Sequence, residues 1–372
     1  MTAPPATESR LRAYGHFLVA LFYYFVVRGI ARRGAPGLVG EQWSGLVEQA
    51  MLVFLLIVGF AGLGYAANRL PNQVSRQGLP RRPGWAREAG VGLAIGWGAA
   101  VVCVLAMALG GGIAIQLSLG LRSWGWLAVY ALYFAFLALG EEIAFRGYMF
   151  QRFARATGPV AAVVAFAVLY AFLQGMIPGS THASVAVAFV LSLLLATAYL
   201  RTRALWVSWG INFGWKASRA LVFGLAVSGD SSRSPVVQGD PMGSFWLTGG
   251  GFGLDSSWFA LCVILALLPV VYRATRELDF RYNAPVFEPA GIPVDLDAAA
   301  RRQHEAAMGA APPAPPPLVQ IASAQNDPIQ LPTGPATIPD GASPLPERTV
   351  GTPADEIPSP ARPNSGNETL PG

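Results

Sequence analysis

Long apolar runs separated by short, arginine-bearing segments fill most of the first 280 residues. Eight runs stand out, at about 14–30, 46–67, 90–117, 124–139, 159–176, 183–200, 205–227 and 257–272. Each approaches the roughly 17–25 residues that carry a helix across a hydrocarbon layer. The pattern predicts an all-α fold, a polytopic membrane helical bundle of about eight spans. The first and last runs are the shortest. Gly110, Gly111 and Gly112 weaken the end of the third and mark a candidate break. Arg10 and Arg12 precede the first run, Arg32 and Arg33 follow it, and no small-residue cleavage site intervenes, so it reads as a retained span. After Arg281 the apolar pattern stops. Residues 311–372 hold 16 of the 30 prolines with six acidic and two basic residues, too little apolar surface to offset chain entropy. A disordered C-terminal tail is expected there, with a short helix at 294–308 before it; a Pro-rich docking segment is the alternative.

Composition sharpens the membrane assignment. Hydrophobic residues make up 53% of the chain and charged residues 13%, the latter about half the roughly 25% of soluble domains. That excludes an ordinary cytosolic enzyme and a disordered regulator. Of the 26 basic residues all but Lys216 are arginine, scattered near the ends of apolar runs. This is a membrane-flanking distribution, and no nucleic-acid partner is expected. With the N-terminus inside, segments on the inner side hold fourteen arginines and those on the outer side five. The positive-inside bias therefore predicts a multi-pass protein of the cell membrane with both termini cytoplasmic. Arg28, Arg32 and Arg33 are the dissenting group. The excess of arginine over lysine suggests a GC-rich bacterial genome. Cys103 and Cys262 both lie in apolar runs, which leaves neither a disulfide framework nor a thiolate metal cluster.

Ionisable groups inside spans are costly, so they are the candidate functional residues. The stretch GEEIAFRGYMFQRF closes the fourth run at its cytoplasmic end. On a helix Glu142 and Arg146 lie four apart, with the glutamate first, the better order for a pair. Glu141 points about a quarter-turn away with no local partner. One pinned and one free carboxylate suit a general base with a positioning neighbour; an interfacial salt bridge ending a helix is the plain alternative. Gln174 lies near the end of the fifth run. Asn212 and Lys216 share one face of the seventh, a turn apart. Amides within spans commonly join helices, but an ammonium there needs a partner, and Glu141 or Glu142 is available. Arg219, a turn further, snorkels or shares that role. The histidines suit a metal poorly: His16 is in the first run, His182 in a loop and His304 in the tail.

GEEIAFRG resembles the EExxxR motif of the CPBP family, the CAAX-protease and bacteriocin-processing (ABI) intramembrane endopeptidases. VLYAFLQG occupies the place of that family's FxxxH segment, and AYLRTRALWVSWGINFGWKAS is similar to the stretch carrying its HxxxN motif. The resemblance covers roughly residues 124–227. It implies a peptidase core at 121–280 with its site open toward the cytoplasm, flanked by the N-terminal transmembrane helices of residues 1–120 and the tail of residues 281–372 read from the apolar pattern. It also implies that the glutamates and first histidine activate water, while the second histidine and the asparagine hold metal or the oxyanion. Carried over, Glu141, Glu142 and Arg146 match. Gln174 holds the first histidine position, with Tyr170 for the phenylalanine; Asn212 holds the second, and Lys216 the asparagine position.

Neither Gln nor Asn takes up a proton near neutral pH, and each is a weak ligand beside imidazole. Zinc or another divalent metal belongs to the family, but its ligands are not retained here, so no cofactor is expected. Lys216 then reads as a replacement charge balancing the glutamates. Three functions stay open. One is a peptidase hydrolysing peptide bonds near the cytoplasmic face with Glu141 and Glu142. Another is a catalytically silent relative that binds transmembrane or lipidated peptides. The third is an ion or proton transporter. The partners expected are membrane lipid and a peptide or prenylated-protein substrate.

Overall fold

A computed structural model of the chain describes residues 9–282, apart from 111, 119 and 231–233. The tail, its helix at 294–308 and His304 lie outside the described residues. Every predicted run contains a helix. Ser9 accepts from the Arg12 backbone N–H and starts α1 (Arg10–Leu38), which runs on past its predicted end and takes in Arg32 and Arg33 as well as Arg28. Next come α2 (Glu41–Asn68), the single turn α3 (Gln73–Arg76) and α4 (Trp85–Leu109). The glycine break is real: α4 ends at Gly110, and Ile113–Leu117 forms a strand, β1, where the sequence pattern extended the third span.

The fourth run lengthens into α5 (Leu121–Arg146), so the EExxxR residues lie within the helix. Gly147 then turns the chain into α6 (Tyr148–Thr157); a side chain there would press on the Ile143 carbonyl. Pro159 opens α7 (Pro159–Gly175), where its missing N–H has no helical partner to lose. His182 is the first residue of α8 (His182–Thr202) and not a loop residue, because Thr181 and Ser184 build a reciprocal cap just there. The seventh run is α9 (Trp206–Ala217), continued by a wider π-helical turn at Ser218–Val222. Strand β2 (Val237–Pro241) pairs antiparallel with β1, Ile113 opposite Pro241 and Leu117 opposite Val237. Short α10 (Phe245–Thr248), α11 (Trp258–Ala274) and α12 (Arg276–Tyr282) complete the described chain.

Five helical segments are long and apolar enough to cross a membrane: α1, α2, α4, α5 with α6, and α8; α7 and α11 are shorter apolar helices. Large apolar side chains such as Phe22, Phe54, Leu105, Val160 and Phe172 are exposed on the bundle, as they are where lipid is the solvent. The chain is an integral membrane protein. Tryptophan pairs mark both ends of the bundle. Trp85 and Trp206 meet at 4.9 Å where α4 and α9 begin; Trp43 and Trp126 meet at 5.0 Å near the starts of α2 and α5.

Helix α9, which carries two site residues, is fixed by small residues. Gly92 and Gly96 of α4 face the backbone at Val207 and Ile211, while Gly210 and Gly214 face the backbone of α4 at Ala89 and Leu93. A Cβ at any of the four would meet main chain. Two glycine pairs spaced four apart let the helices approach backbone to backbone, the close packing that substitutes for a hydrophobic driving force in lipid.

Candidate active site

Helices α5 and α9 bring five of the six sequence-predicted residues into direct contact, with α8 packed beside them. Glu142 is fully buried and accepts from Arg146 at 2.9 Å along one turn of α5. Arg146, itself 1% exposed, also donates to Ser192 Oγ of α8 at 2.9 Å. From α9, Asn212 Nδ2 donates to Glu141 at 2.9 Å and to Glu142 at 3.2 Å. Both acceptors are carboxylates, which fixes the amide with its nitrogen toward them. Lys216 forms an ion pair with Glu141. The carboxylate left without a partner on its own helix is thus neutralised from α9, one turn beyond the bridging asparagine.

Gln174 is the exception. Its amide donates to Ser228 Oγ at 3.0 Å and contacts neither glutamate, although it lines the same cavity as Glu141. Ser228 belongs to a second network that sequence reasoning missed. Its backbone N–H and hydroxyl donate to Asp255 at 3.0 and 2.8 Å, and Trp215 Nε1 donates to the same carboxylate at 3.2 Å. Arg219 pairs with Asp255 at 2.8 Å and stacks on Trp215. It is fully buried, so it neither snorkels nor joins the glutamates. Burial would raise the Asp255 carboxyl, but the Arg219 guanidinium and the Ser228 hydroxyl outweigh it and hold it below the ordinary carboxylate value. Asp255 and Ser228 carry no motif and lie outside the stretch with family resemblance; an acid between two apolar runs was the only signal available.

The two glutamates differ in access. Glu142 is sealed, whereas the Glu141 side chain is 22% exposed at the wall of a cavity of about 280 Å³ between α1, α2, α5 and α7. A smaller adjoining space of about 190 Å³ reaches Lys216, Ser228 and Asp230. Below Glu141, toward the start of α7, the buried side chains of Ile143, Phe145, Tyr148, Phe150 and Phe166 close the bundle. The polar wall lies the other way: Arg28 in the later half of α1, Glu48 and Gln49 near the start of α2, Gln174 at the end of α7 and Ile177 beyond it. These positions lie toward the α1–α2 and α7–α8 connections, away from the arginine-bearing α2–α4 connection, helix α6 and the α8–α9 connection.

The donor set is a poor fit for a zinc ion. Glu141 and Glu142 are engaged by Lys216, Arg146 and Asn212, and the described residues contain no group of three or more His, Cys, Asp or Glu side chains suited to a metal. What the arrangement offers instead is one cavity-facing carboxylate beside two strong donors, the Lys216 ammonium and the Asn212 amide.

Residues 123–218 match a family described as type II CAAX prenyl endopeptidase Rce1-like. The matched stretch contains all six candidate residues. No curated protein and no solved structure matches the chain.

Proposed function

Taking residues 123–218 as a core of the CAAX protease (CPBP) family, we propose that the chain is a membrane endopeptidase that receives a peptide segment in the cavity and acts on it through Glu141. The observation carrying this reading is that Glu141 alone of the acid pair borders the cavity, while Glu142 is held by Arg146. A peptide carbonyl beside Glu141 would draw the Lys216 ammonium and Asn212 Nδ2 onto its oxygen, where they serve as oxyanion donors. Glu141, released from both, takes a proton from water as the hydroxide adds to the carbonyl carbon. It then returns that proton to the amine as the C–N bond breaks. Opening the Lys216–Glu141 ion pair is part of the barrier. No metal enters these steps.

The family points to a prenylated or leader-type peptide, and the arginine bias to a cell membrane with both termini in the cytoplasm. Residues 1–120 would flank the core as lipid-facing and cavity-forming helices. A second reading, a silent relative that binds such peptides without cutting them, is favoured by Gln174, whose amide nitrogen is engaged with Ser228 and not with Glu141. The transporter reading has less behind it, because apolar side chains close the bundle beneath the acids. Incubating the purified full chain in nanodiscs with a prenylated peptide and a leader peptide tests the proposal. Cleavage that is lost in Glu141→Gln supports the enzyme. Cleavage unchanged by that substitution overturns it, and binding without cleavage in either protein selects the silent relative.

A further inference from the structure

The Gln174 amide is held in one orientation, and the residues that hold it lie outside the matched stretch. Asp255, ionised beside Arg219, has only acceptor atoms, so the single proton of the Ser228 hydroxyl goes to its carboxylate at 2.8 Å. Ser228 Oγ is left with lone pairs alone, and the Gln174 group 3.0 Å away must be the Nε2 donor. The amide oxygen is therefore the end turned away from Ser228. No described residue donates to it, and the Gln174 side chain is half-buried on the cavity wall. Ser228 itself is fixed. With Gly229 it fills the turn between Val227 and Asp230, whose backbones bond each other at 3.0 and 3.1 Å. Both central residues have positive φ, 51° and 77°, which suits asparagine and glycine better than serine. The Ser228 N–H and hydroxyl both bond Asp255, which offsets that strain and aims Oγ at Gln174.

Leu137, Glu141, Gln174 and Ile177 line both the larger cavity and the smaller space beside it. A peptide reaching from one to the other passes Glu141 and Gln174 together. We infer that the Gln174 amide oxygen accepts a backbone N–H of the bound peptide, and that Ser228 and Asp255 are positioning residues that keep this oxygen turned toward it. The inference rests on the endopeptidase reading and names the group of the substrate that the site recognises. A neutral acceptor takes an N–H and leaves a carbonyl unpaired, so it fixes how the peptide lies against Glu141. It also selects against proline or an N-methylated residue at that position. Without the Ser228 hydroxyl, either end of the amide could face the peptide and that discrimination would be lost.

The test measures dissociation constants by fluorescence anisotropy on the full chain in nanodiscs, with the prenylated and leader peptides and with analogues N-methylated at one backbone amide at a time. Every protein carries Glu141→Gln, which the endopeptidase reading expects to prevent turnover. At one position, N-methylation should weaken binding about 2- to 10-fold more when Gln174 is present than in Gln174→Met. Ser228→Gly removes the hydroxyl and suits the positive φ. It should lose the same discrimination as Gln174→Met, and combining the two should lose no more. N-methylation that costs the same in all proteins at every position overturns the acceptor role. Full discrimination in Ser228→Gly overturns the positioning role, and Gln174→Met decides the acceptor role even where Ser228→Gly folds poorly. Binding of neither peptide overturns the inference together with the endopeptidase reading. Cleavage unchanged by Glu141→Gln removes the enzyme alone, and the affinities still decide the acceptor.

Discussion

Around Glu142 and around Asp255 an acid is sealed with an arginine; around Glu141 an acid meets a lysine at the wall of a cavity. The side chains of Glu142 and Arg146 are 0% and 1% exposed, and those of Asp255 and Arg219 are 8% and 0%, against 22% for Glu141 and 7% for Lys216. Residue types alone make these three pairs look alike. Burial separates them: two are fixtures of the packed bundle, and one can exchange its partners with whatever enters. In the proposed mechanism, chemistry at the third pair depends on the other two holding α5 and the Asp255 segment in place.

The sealed pairs should break most severely. Arg146→Met leaves Glu142 charged and without its cation, and should cost about 3–5 kcal/mol, read as a fall in thermal midpoint in detergent. Adding Glu142→Leu should recover most of that loss, because two apolar side chains of similar size carry no buried charge. A single variant as stable as the parent would mean that the pair is not sealed.

The approach of α4 to α9 comes next. Gly96→Ala places a methyl group against the main chain at Ile211 and should cost about 1–3 kcal/mol through forced backbone displacement. Gly62→Ala meets open space and should be neutral or slightly stabilising. Equal effects at the two sites would remove the argument that α9 is positioned by close glycine contact.

Most of the bundle and half of the site were legible in the sequence. Run length gave the helices, because lipid demands a continuous apolar stretch, and the four-residue spacing of Glu142 and Arg146 gave their pair. The β1–β2 ladder was not legible: Ile113–Leu117 is as apolar as the span before it, and only pairing with Val237–Pro241 makes it a strand. Gly92, Gly96, Gly210 and Gly214 show the spacing of close helix contact, a signal that span counting passes over. Asp255 was missed for a different reason. Its partners Arg219, Trp215 and Ser228 come from distant parts of the chain, and no local pattern joins them. Gln174 was placed on the right helix and in the right cavity, but its amide turns to Ser228.

Acid should separate the sealed Asp255 from an exposed carboxylate. Its value is lowered in the folded protein, so its stabilisation is complete above the ordinary carboxyl value and is lost as pH falls through the lower folded one. Asp255→Asn should therefore narrow its stability gap to the parent on acidification, measured as thermal midpoints across a pH series. A gap that widens toward low pH would contradict the assigned cause. Smallest of all, Gln174→Ala removes one side-chain hydrogen bond to Ser228 and should cost about 0.5–1.5 kcal/mol.

The most direct measurement is a double-mutant cycle on Glu141→Gln and Lys216→Met, with unfolding followed in detergent. If the cavity-facing acid is balanced by Lys216, the sum of the two single losses will exceed the loss in the double variant by a coupling of about 0.5–3 kcal/mol. Additive losses, with no coupling, would contradict the account.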